Sequence, residues 1–336
     1  MQPSFRFALL ALALGCLPAA VLAQTDQQFL TFSADNDLYA RAGDRHYTNG
    51  LRIAYGFKPG VRSPLLNWLG ALTVLDADPA RREYEIAVGQ NLYTPEDLSI
   101  AEPQPLDRPY AAWLYAELGV RVHRPGVEEG LSISLGVVGP AALGEETQRF
   151  IHDITNSINP LGWDNQLRNE PALLIRYRRS WFVPLNNASA AGPAIDLVPR
   201  LGLDLGNVFT DAGAGVNLRI GSTLPERDMP QRIPLGLSGI ASRFEPPAGG
   251  IEWLIFAGAQ VRGVAHNIFL DGNSFRDGPA VERRPFQWDA TIGAQIVFDL
   301  FSIPTQIAVT HVWRSREFEQ QIGRNRFGSL TVGFAF

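Results

Sequence analysis

The C-terminal segment carries the most regular hydrophobic pattern in the chain. Every second residue from Leu330 to Phe336 is apolar, and the positions between them hold threonine, glycine and alanine. An extended strand with this period of two places all its apolar side chains on one face. An apolar face toward lipid and a small or polar face toward the interior is what a membrane-spanning β-barrel strand requires.

Segments of similar length and alternation recur along the whole chain. Their number is about a dozen and even, as it is in single-chain bacterial barrels. The pattern therefore predicts an all-β protein, a transmembrane antiparallel β-barrel of about 12 strands. The predicted strands occupy residues 27–36, 46–57, 83–93, 110–123, 131–139, 170–182, 194–205, 213–222, 251–265, 286–300, 304–316 and 326–336.

Residues 1–23 have the organisation of a secretory signal peptide. Arg6 gives a sparse positive region, a long apolar stretch follows, and small residues precede a predicted cleavage before Gln24. The remaining sequence, residues 24–336, has no internal repeat and no apolar segment long enough for a transmembrane helix. We therefore expect a single outer-membrane β-barrel domain after the signal peptide.

Composition narrows the classes of function. The only cysteine, Cys16, lies within the predicted signal peptide, so the exported protein is expected to have neither disulfides nor thiol chemistry. The formal net charge is −5. This mild acidity argues against a nucleic-acid partner, because such a partner would require a basic surface.

An even strand count assigns each connection to one side of the membrane. With both chain ends in the periplasm, two long connections, 58–82 and 223–250, would be periplasmic. The first contains an apolar run from Leu65 to Leu72, which predicts a short amphipathic helix at the inner interface of the membrane. The predicted extracellular connections lie near 37–45, 94–109, 140–169, 206–212, 267–285 and 317–325.

Two polar clusters flank the first predicted hairpin. Asp35, Asn36 and Asp37 end the first strand, and the segment 44–50, Asp-Arg-His-Tyr-Thr-Asn-Gly, begins the second. Asp, Asn and Gly are ordinary turn residues, so a polar hairpin loop is one interpretation. Clustered carboxylate and amide oxygens are also the ligands that Ca²⁺ prefers, so a calcium site is the other.

A third polar cluster lies in the predicted loop 140–169. After a Gly-Pro break, good helix formers and an acidic first turn predict a short helix over residues 144–157. Gln148 and His152 are four residues apart and therefore share one face of that helix. The histidine is either a surface residue or a catalytic base, and its position in a long loop rich in polar and aromatic residues favours a function.

Five motifs follow one another along the chain: Asn36-Asp37, Arg45-His46-Tyr47-Thr48-Asn49-Gly50, Asp107-Arg108-Pro109-Tyr110-Ala111, Gly139-Pro140 with Gln148 and His152, and Gly162-Trp163-Asp164-Asn165-Gln166-Leu167. Together they resemble the motifs of the outer-membrane lipid A 3′-O-deacylase family. The resemblance implies a barrel whose active site faces outward, between the barrel wall and a helix of the third extracellular loop. It also implies Ca²⁺-dependent removal of an ester-linked acyloxyacyl group from lipid A.

The resemblance also assigns roles to individual residues. His152 would be the general base that activates water, and Gln148 would position His152 or the substrate. Asn36 and Asp37 would hold or orient Ca²⁺, and Thr48 nearby would be a further catalytic residue. Lipid A within lipopolysaccharide would be the substrate, with outer-membrane lipids around the barrel and the barrel assembly machinery as a partner during biogenesis.

The chain departs from the family pattern at two places. Some members carry a basic residue in the second extracellular loop and a carboxylate six positions after the histidine, toward the lipid A headgroup. Here residues 96–102 of that loop read Glu-Asp-Leu-Ser-Ile-Ala-Glu, and the later position is Ile158. An esterase that acts on another acylated lipid is therefore an alternative. A non-enzymatic barrel, either a narrow channel or a surface protein, is a second alternative.

Overall fold

The computed structural model describes residues 28–36, 46–58, 63–74, 81–155, 157–186, 192–227, 244, 247 and 250–336. The predicted signal peptide, residues 1–23, lies outside these ranges, as does one predicted calcium ligand, Asp37. Both therefore stay predictions.

Twelve long antiparallel strands and one two-residue strand form a single closed sheet. The strands are β1 Phe29–Asn36, β2 His46–Phe57, β3 Arg82–Thr94, β4 Ala111–Arg124, β5 Val127–Val138, β6 Glu170–Trp181, β7 Val183–Pro184, β8 Ala194–Gly206, β9 Phe209–Gly221, β10 Glu252–Asn267, β11 Phe286–Leu300, β12 Ile303–Arg314 and β13 Asn325–Ala335. Strands close in the chain are neighbours in the sheet, β1 pairs with β13, and β6 pairs with β8. The predicted antiparallel barrel is therefore confirmed.

Both termini of the barrel domain lie at one end of the barrel. The backbone amide of Gln28 donates to the Phe336 carbonyl at 2.8 Å, and the Phe336 amide donates to the Gln28 carbonyl at 2.9 Å. We call the opposite end the distal end. It carries the connections that follow β1, β3, β5, β8, β10 and β12.

The two faces of the strands follow the alternation predicted from the sequence. In β13, Leu330 is exposed on the outer wall, whereas Thr331 is buried in the interior. In β1, Phe32 is 42% exposed and the next residue, Ser33, is 4% exposed. Lipid solvates only apolar side chains well, so the outer face of the strands must be apolar while the inner face can be polar.

Paired charges occupy much of the interior. Arg52 contacts Glu85 and lies 2.7 Å from Glu117, and Arg178 lies 2.7 Å from Asp204. All five side chains are almost completely buried. A buried charge without a partner is strongly destabilising, so these pairs allow the polar inner faces to pack into a filled lumen.

An aromatic cluster fills the lumen nearer the distal end. The connection after β10 begins with the short helix α3 (Ile268–Asp271), whose first three residues are fully buried. Phe269 stacks on Tyr93 with ring centroids 3.9 Å apart, and Tyr47 meets Phe327 edge-on at 5.2 Å. A conducting channel needs an open lumen, so this packing argues against the narrow-channel alternative.

The helix predicted between β2 and β3 is present as α1 (Pro64–Ala71). Its Leu66 and Leu69 pack against Phe57 and Tyr84, which point outward from the strands. The helix therefore lies on the outer wall at the end that carries the termini, with an apolar face exposed. None of the helices in the described ranges is long and apolar enough to cross a membrane.

Acidic residues within strands account for the two largest errors in the predicted boundaries. The loop predicted over 206–212 is wrong, because β8 and β9 leave only the two-residue turn 207–208 between them. Asp211, which resembled a loop residue, is a buried strand residue facing Arg262 at 3.4 Å. In the same way β5 begins four residues before its predicted start, and its Glu128 is buried against arginine and histidine of β4.

Candidate active site

The connection after β5 contains a helix that lies against the outer wall of the barrel. This helix, α2 (Gly144–Thr155), contacts β3 and β4. The side-chain amide of Gln90, which points outward from β3, donates to the carbonyl oxygen of Ala142 at 2.6 Å and to that of Leu143 at 3.3 Å. The helix predicted for the third distal loop is therefore confirmed, although it ends two residues before its predicted end.

Two glycines allow the loop to approach the wall this closely. Gly139 has a φ of +101°, in the left-handed region that favours glycine. A Cβ atom added to Gly144 would come within 2.4 Å of the Ala112 Cβ on β4. The Gly-Pro break therefore turns the chain out of β5, and Gly144 lets the first turn of α2 pack directly on the strand.

Helix α2 buries its polar face and exposes its apolar face. Gln148 and His152 are 1% and 3% exposed, whereas Phe150 and Ile154 are 55% and 69% exposed. A helix on a soluble protein buries the opposite face. The outside of a membrane barrel contacts lipid, so α2 presents apolar side chains to lipid and holds two polar side chains between itself and the wall. The predicted common face of Gln148 and His152 is confirmed.

The imidazole of His152 has a fixed orientation. Its Nδ1 lies 2.5 Å from the backbone carbonyl oxygen of Ile158. A carbonyl oxygen only accepts hydrogen bonds, so Nδ1 carries a proton, and in a neutral imidazole the lone pair would then be on Nε2. Ile158 follows the histidine by six positions. Its side chain is exposed, and its main chain is what contacts the histidine.

The amide of Gln148 is oriented by a tryptophan. The indole Nε1–H of Trp163 donates to the Gln148 Oε1 at 2.8 Å. An indole nitrogen cannot accept, so the atom facing it must be the amide oxygen. The Gln148 Nε2 then has two N–H groups in a buried position without a hydrogen-bond partner in the described part of the chain. A buried, unsatisfied donor of this kind is suited to a developing negative charge.

Trp163 is in turn held by the connection after β3. It packs with Leu92 and Ala112 on the outer wall, and its ring lies 5.1 Å from that of Tyr110. Burial raises the pKa of Tyr110 to about 12, so its hydroxyl stays neutral. The neighbouring Arg108 forms a buried ion pair with Glu317 at 2.9 Å. The motif Asp107–Ala111 therefore links the tryptophan to the loop before β13.

A β-bulge in β2 brings polar side chains to the same outer wall. The register with β3 shifts between Tyr47 and Asn49, so Thr48 is an extra residue and both Thr48 and Asn49 face outward. The Thr48 hydroxyl lies 2.6 Å from the Thr94 hydroxyl at the distal end of β3. Asn36 pairs with Asn49 in the register of β1 and β2, and both are more than nine-tenths buried.

Side-chain oxygen atoms that could bind a hard metal cation lie on the outer wall at the distal ends of β1 and β2. The Asn49 Oδ1 is buried without a hydrogen-bond partner in the described ranges, next to the amide of Asn36 and the hydroxyl of Thr48. Amide and hydroxyl oxygens suit Ca²⁺, so the residues present fit a calcium ion. Within the described residues, no group of three or more His, Cys, Asp or Glu side chains could hold a metal ion. Asp37, the predicted carboxylate ligand, lies outside them.

The structure thus places four of the five predicted site residues on one part of the outer wall. Asn36 and Thr48 lie on β1 and β2, and Gln148 and His152 lie on the helix that packs on β3 and β4. Two partners received no role from the sequence: Trp163 and Asn49. Both lie within the quoted motifs, but only the fold shows that an indole fixes an amide and that a bulge turns Asn49 outward.

A solved structure shares the fold of this chain. LpxR from Salmonella typhimurium matches with a TM-score of 0.72 and 21% sequence identity, covering 91% of this chain and 99% of that one. The β-domain of the Bordetella autotransporter Brka matches with a TM-score of 0.44 and 11% identity, covering 92% of this chain and 98% of that one. No curated protein sequence matches the chain.

The sequence itself matches a family model over nearly its full length. The model describes the outer membrane protein LpxR, and the match spans residues 7–336. This agrees with the barrel, the helix on the outer wall and the order of the motifs. The chain therefore belongs to the LpxR family of outer-membrane proteins, the lipid A deacylases whose motifs its sequence carries.

Proposed function

We propose that the protein hydrolyses the ester that links the 3′-acyloxyacyl group to lipid A, in a Ca²⁺-dependent reaction on the extracellular side of the outer membrane. The observation that carries the proposal is the pair Gln148 and His152. Helix α2 buries both side chains beneath apolar residues that face lipid. One nitrogen of the His152 ring contacts a backbone carbonyl, and the N–H groups of the Gln148 amide have no hydrogen-bond partner in the described residues. A base and an oxyanion donor one helical turn apart are what ester hydrolysis requires.

The reaction follows from these two side chains. The Nε2 of His152 accepts a proton from a water molecule, whose oxygen attacks the ester carbonyl carbon. The carbonyl oxygen gains negative charge, and the Gln148 Nε2–H donates a hydrogen bond to it. When the carbon–oxygen bond to the sugar breaks, the imidazolium returns the proton to the leaving alkoxide. The products are a carboxylic acid and a free sugar hydroxyl.

Ca²⁺ would be held by oxygen donors of β1 and β2. Asn36, Asp37 and Asn49 would supply ligands, with Thr48 beside them. A bound Ca²⁺ supplies Lewis-acid polarisation of the carbonyl group. In this scheme Thr48 and Thr94 support the site, because their hydroxyl groups bond to each other at the bulge.

The surroundings of the site favour a lipid as substrate. Phe150, Ile154 and Ile158 are exposed around the helix and give it an apolar outer surface. An acyl chain that lies along this surface would reach the edge of the helix without leaving the membrane. Lipid A carries its acyl chains in the outer leaflet, at the level of this end of the barrel if the termini are periplasmic. An ester of another lipid in that leaflet is the competing substrate.

Removal of the metal is expected to abolish the reaction. In EDTA the purified protein should release no acid from lipid A, and added Ca²⁺ should restore release, because the polarising cation is lost and regained.

Asn49→Ala should raise the Ca²⁺ concentration that gives half the maximal rate by about tenfold, a typical loss for one oxygen ligand. Calorimetric titration of Ca²⁺ into the purified variant should show the same weakening. Unchanged Ca²⁺ affinity in Asn49→Ala would remove this residue from the ligand set.

Loss of the indole donor is expected to slow the chemical step. Trp163→Phe keeps an aromatic ring against Tyr110 but removes the N–H that fixes the Gln148 amide, so kcat should fall about tenfold. KM should change little, because the lipid-facing surface is intact. Trp253→Phe, on the outer wall far from the site, is the matched control and should leave both constants unchanged. A normal kcat in Trp163→Phe would show that the indole does not orient the amide.

The main chain of Ile158 should matter more than its side chain. Ile158→Ala is expected to retain nearly full activity, since the carbonyl oxygen and not the exposed side chain contacts His152. Steady-state rates on lipid A in detergent micelles check this. A loss of tenfold or more would mean that the isoleucine side chain contributes to substrate binding.

A further inference from the structure

Two arginines and two tryptophans face outward at the distal end of β11 to β13. We call Trp288, Trp313, Arg324 and Arg326 the basic–aromatic patch. The guanidinium carbon of Arg324 lies 5.0 Å from the centre of the Trp288 ring. Arg326 stands directly opposite Trp313 in the register of β12 and β13. The patch is therefore a cation-bearing surface backed by aromatic rings on the outer wall.

Both arginines of the patch are exposed and available for a ligand. Among the described residues, neither Arg324 nor Arg326 lies within ion-pair distance of a carboxylate, whereas the arginines in the lumen are paired. The chain as a whole has a net charge of −5. An outward arginine in a barrel is costly at the middle of the bilayer and tolerated near the interface. Tryptophan is enriched at that same interface, so the patch marks the level of the lipid headgroups.

The patch adjoins the proposed active site. Asn36 pairs with Gly328 in the register of β1 and β13, and Arg326 is two residues from Gly328 on the same outward face. Diagonal neighbours of this kind in an antiparallel pair lie about 7–8 Å apart. The arginines therefore flank the oxygen donors of β1 and β2 on one side, and α2 flanks them on the other.

We propose that the basic–aromatic patch binds a phosphate monoester on the headgroup of the acylated lipid whose ester is hydrolysed next to it. The guanidinium fork matches phosphate geometry with two hydrogen bonds, and the rings pack against the adjoining apolar part of the lipid. The inference rests on the proposed function for the identity of that lipid. Residues 96–102 of the second distal loop contain acidic but no basic side chains, so that segment offers no cation to a phosphate.

The test compares binding of two lipids that differ only in phosphate. Purified protein in detergent is titrated with bisphosphorylated lipid A and with the same lipid after removal of both phosphates. The titrations use the His152→Ala background, so that the proposed reaction does not consume the ligand. The phosphorylated lipid should bind more tightly. Arg324→Ala combined with Arg326→Ala should weaken its binding by about 10- to 100-fold, the loss of one or two charge-assisted hydrogen bonds, and should leave the dephosphorylated lipid unaffected.

Arg276→Ala is the matched control, because Arg276 is also exposed at the distal end but lies outside the patch, in the connection after β10. It should leave both affinities unchanged. Inorganic phosphate at millimolar concentration should not displace the lipid if the acyl chains anchor it. Full displacement would point to a site for free phosphate instead. Equal binding of both lipids, or wild-type affinity in the double variant, would overturn the proposal. Phosphate-dependent binding without any acid release by the wild-type protein would contradict the proposed reaction and leave the patch standing.

Discussion

His152→Ala is expected to lower the rate of lipid A ester hydrolysis by about 10²- to 10⁴-fold, the usual contribution of a positioned general base. The variant loses the imidazole, whose Nδ1 contacts the Ile158 carbonyl and whose Nε2 is the proposed base. His152 is buried between α2 and the barrel wall, so its truncation leaves a cavity of about the size of the lost imidazole. Imidazole in the buffer should therefore restore part of the activity. The measurement is acid release from lipid A in detergent micelles.

Asp153→Ala provides the matched control for this variant. Asp153 is the next residue of the same helix, carries a carboxyl group, and is exposed whereas His152 is buried. Its removal should leave the rate within about twofold, as for most surface substitutions. If His152→Ala keeps more than a tenth of the wild-type rate while both variants stay folded, another group is the base.

Gln148→Glu is expected to lower kcat by about 10²- to 10³-fold, the usual loss for one oxyanion donor. The change is nearly isosteric, and a carboxylate oxygen still accepts from the Trp163 indole. The remaining oxygen accepts hydrogen bonds where the amide donated them, so it repels the developing charge. The loss should appear in kcat more than in KM, because the donor acts on the transition state.

Gln320→Glu makes the same chemical change at an exposed site of the same end of the barrel. It should not alter the rate, which separates the loss of a donor from a general effect of added negative charge. If Gln148→Glu slows the reaction no more than Gln320→Glu, the amide of Gln148 serves only to hold Trp163.

Much of the fold could be predicted because its main determinant is local. The alternation from Leu330 to Phe336 indicates which face meets lipid, and the same rule applies to every long strand. Helix α2 was also predictable from its Gly-Pro break, its acidic first turn and the spacing of Gln148 and His152. The predicted loop over 206–212 was wrong because the charge of Asp211 is neutralised by Arg262 from a neighbouring strand. Such a partner is distant in sequence and is invisible to a local pattern.

The site was predictable in its residues but less so in its geometry. The motifs named Asn36, Thr48, Gln148 and His152, and the barrel brings these to one part of the wall. The sequence did not show that Ile158 contributes its carbonyl, since any residue has one. It also did not show that a bulge turns Thr48 and Asn49 to the same side, because a bulge breaks the alternation on which strand predictions rely.

Mass spectrometry of lipid A after incubation with the purified full-length protein tests the central claim most directly. With Ca²⁺ present, the account predicts a product lighter by one acyloxyacyl group at the 3′ position and an equal amount of the released acid. EDTA or His152→Ala should leave the lipid intact, and phospholipids offered under the same conditions should not be cleaved. Intact lipid A in the presence of Ca²⁺, from protein shown to be folded as a barrel, would contradict the account.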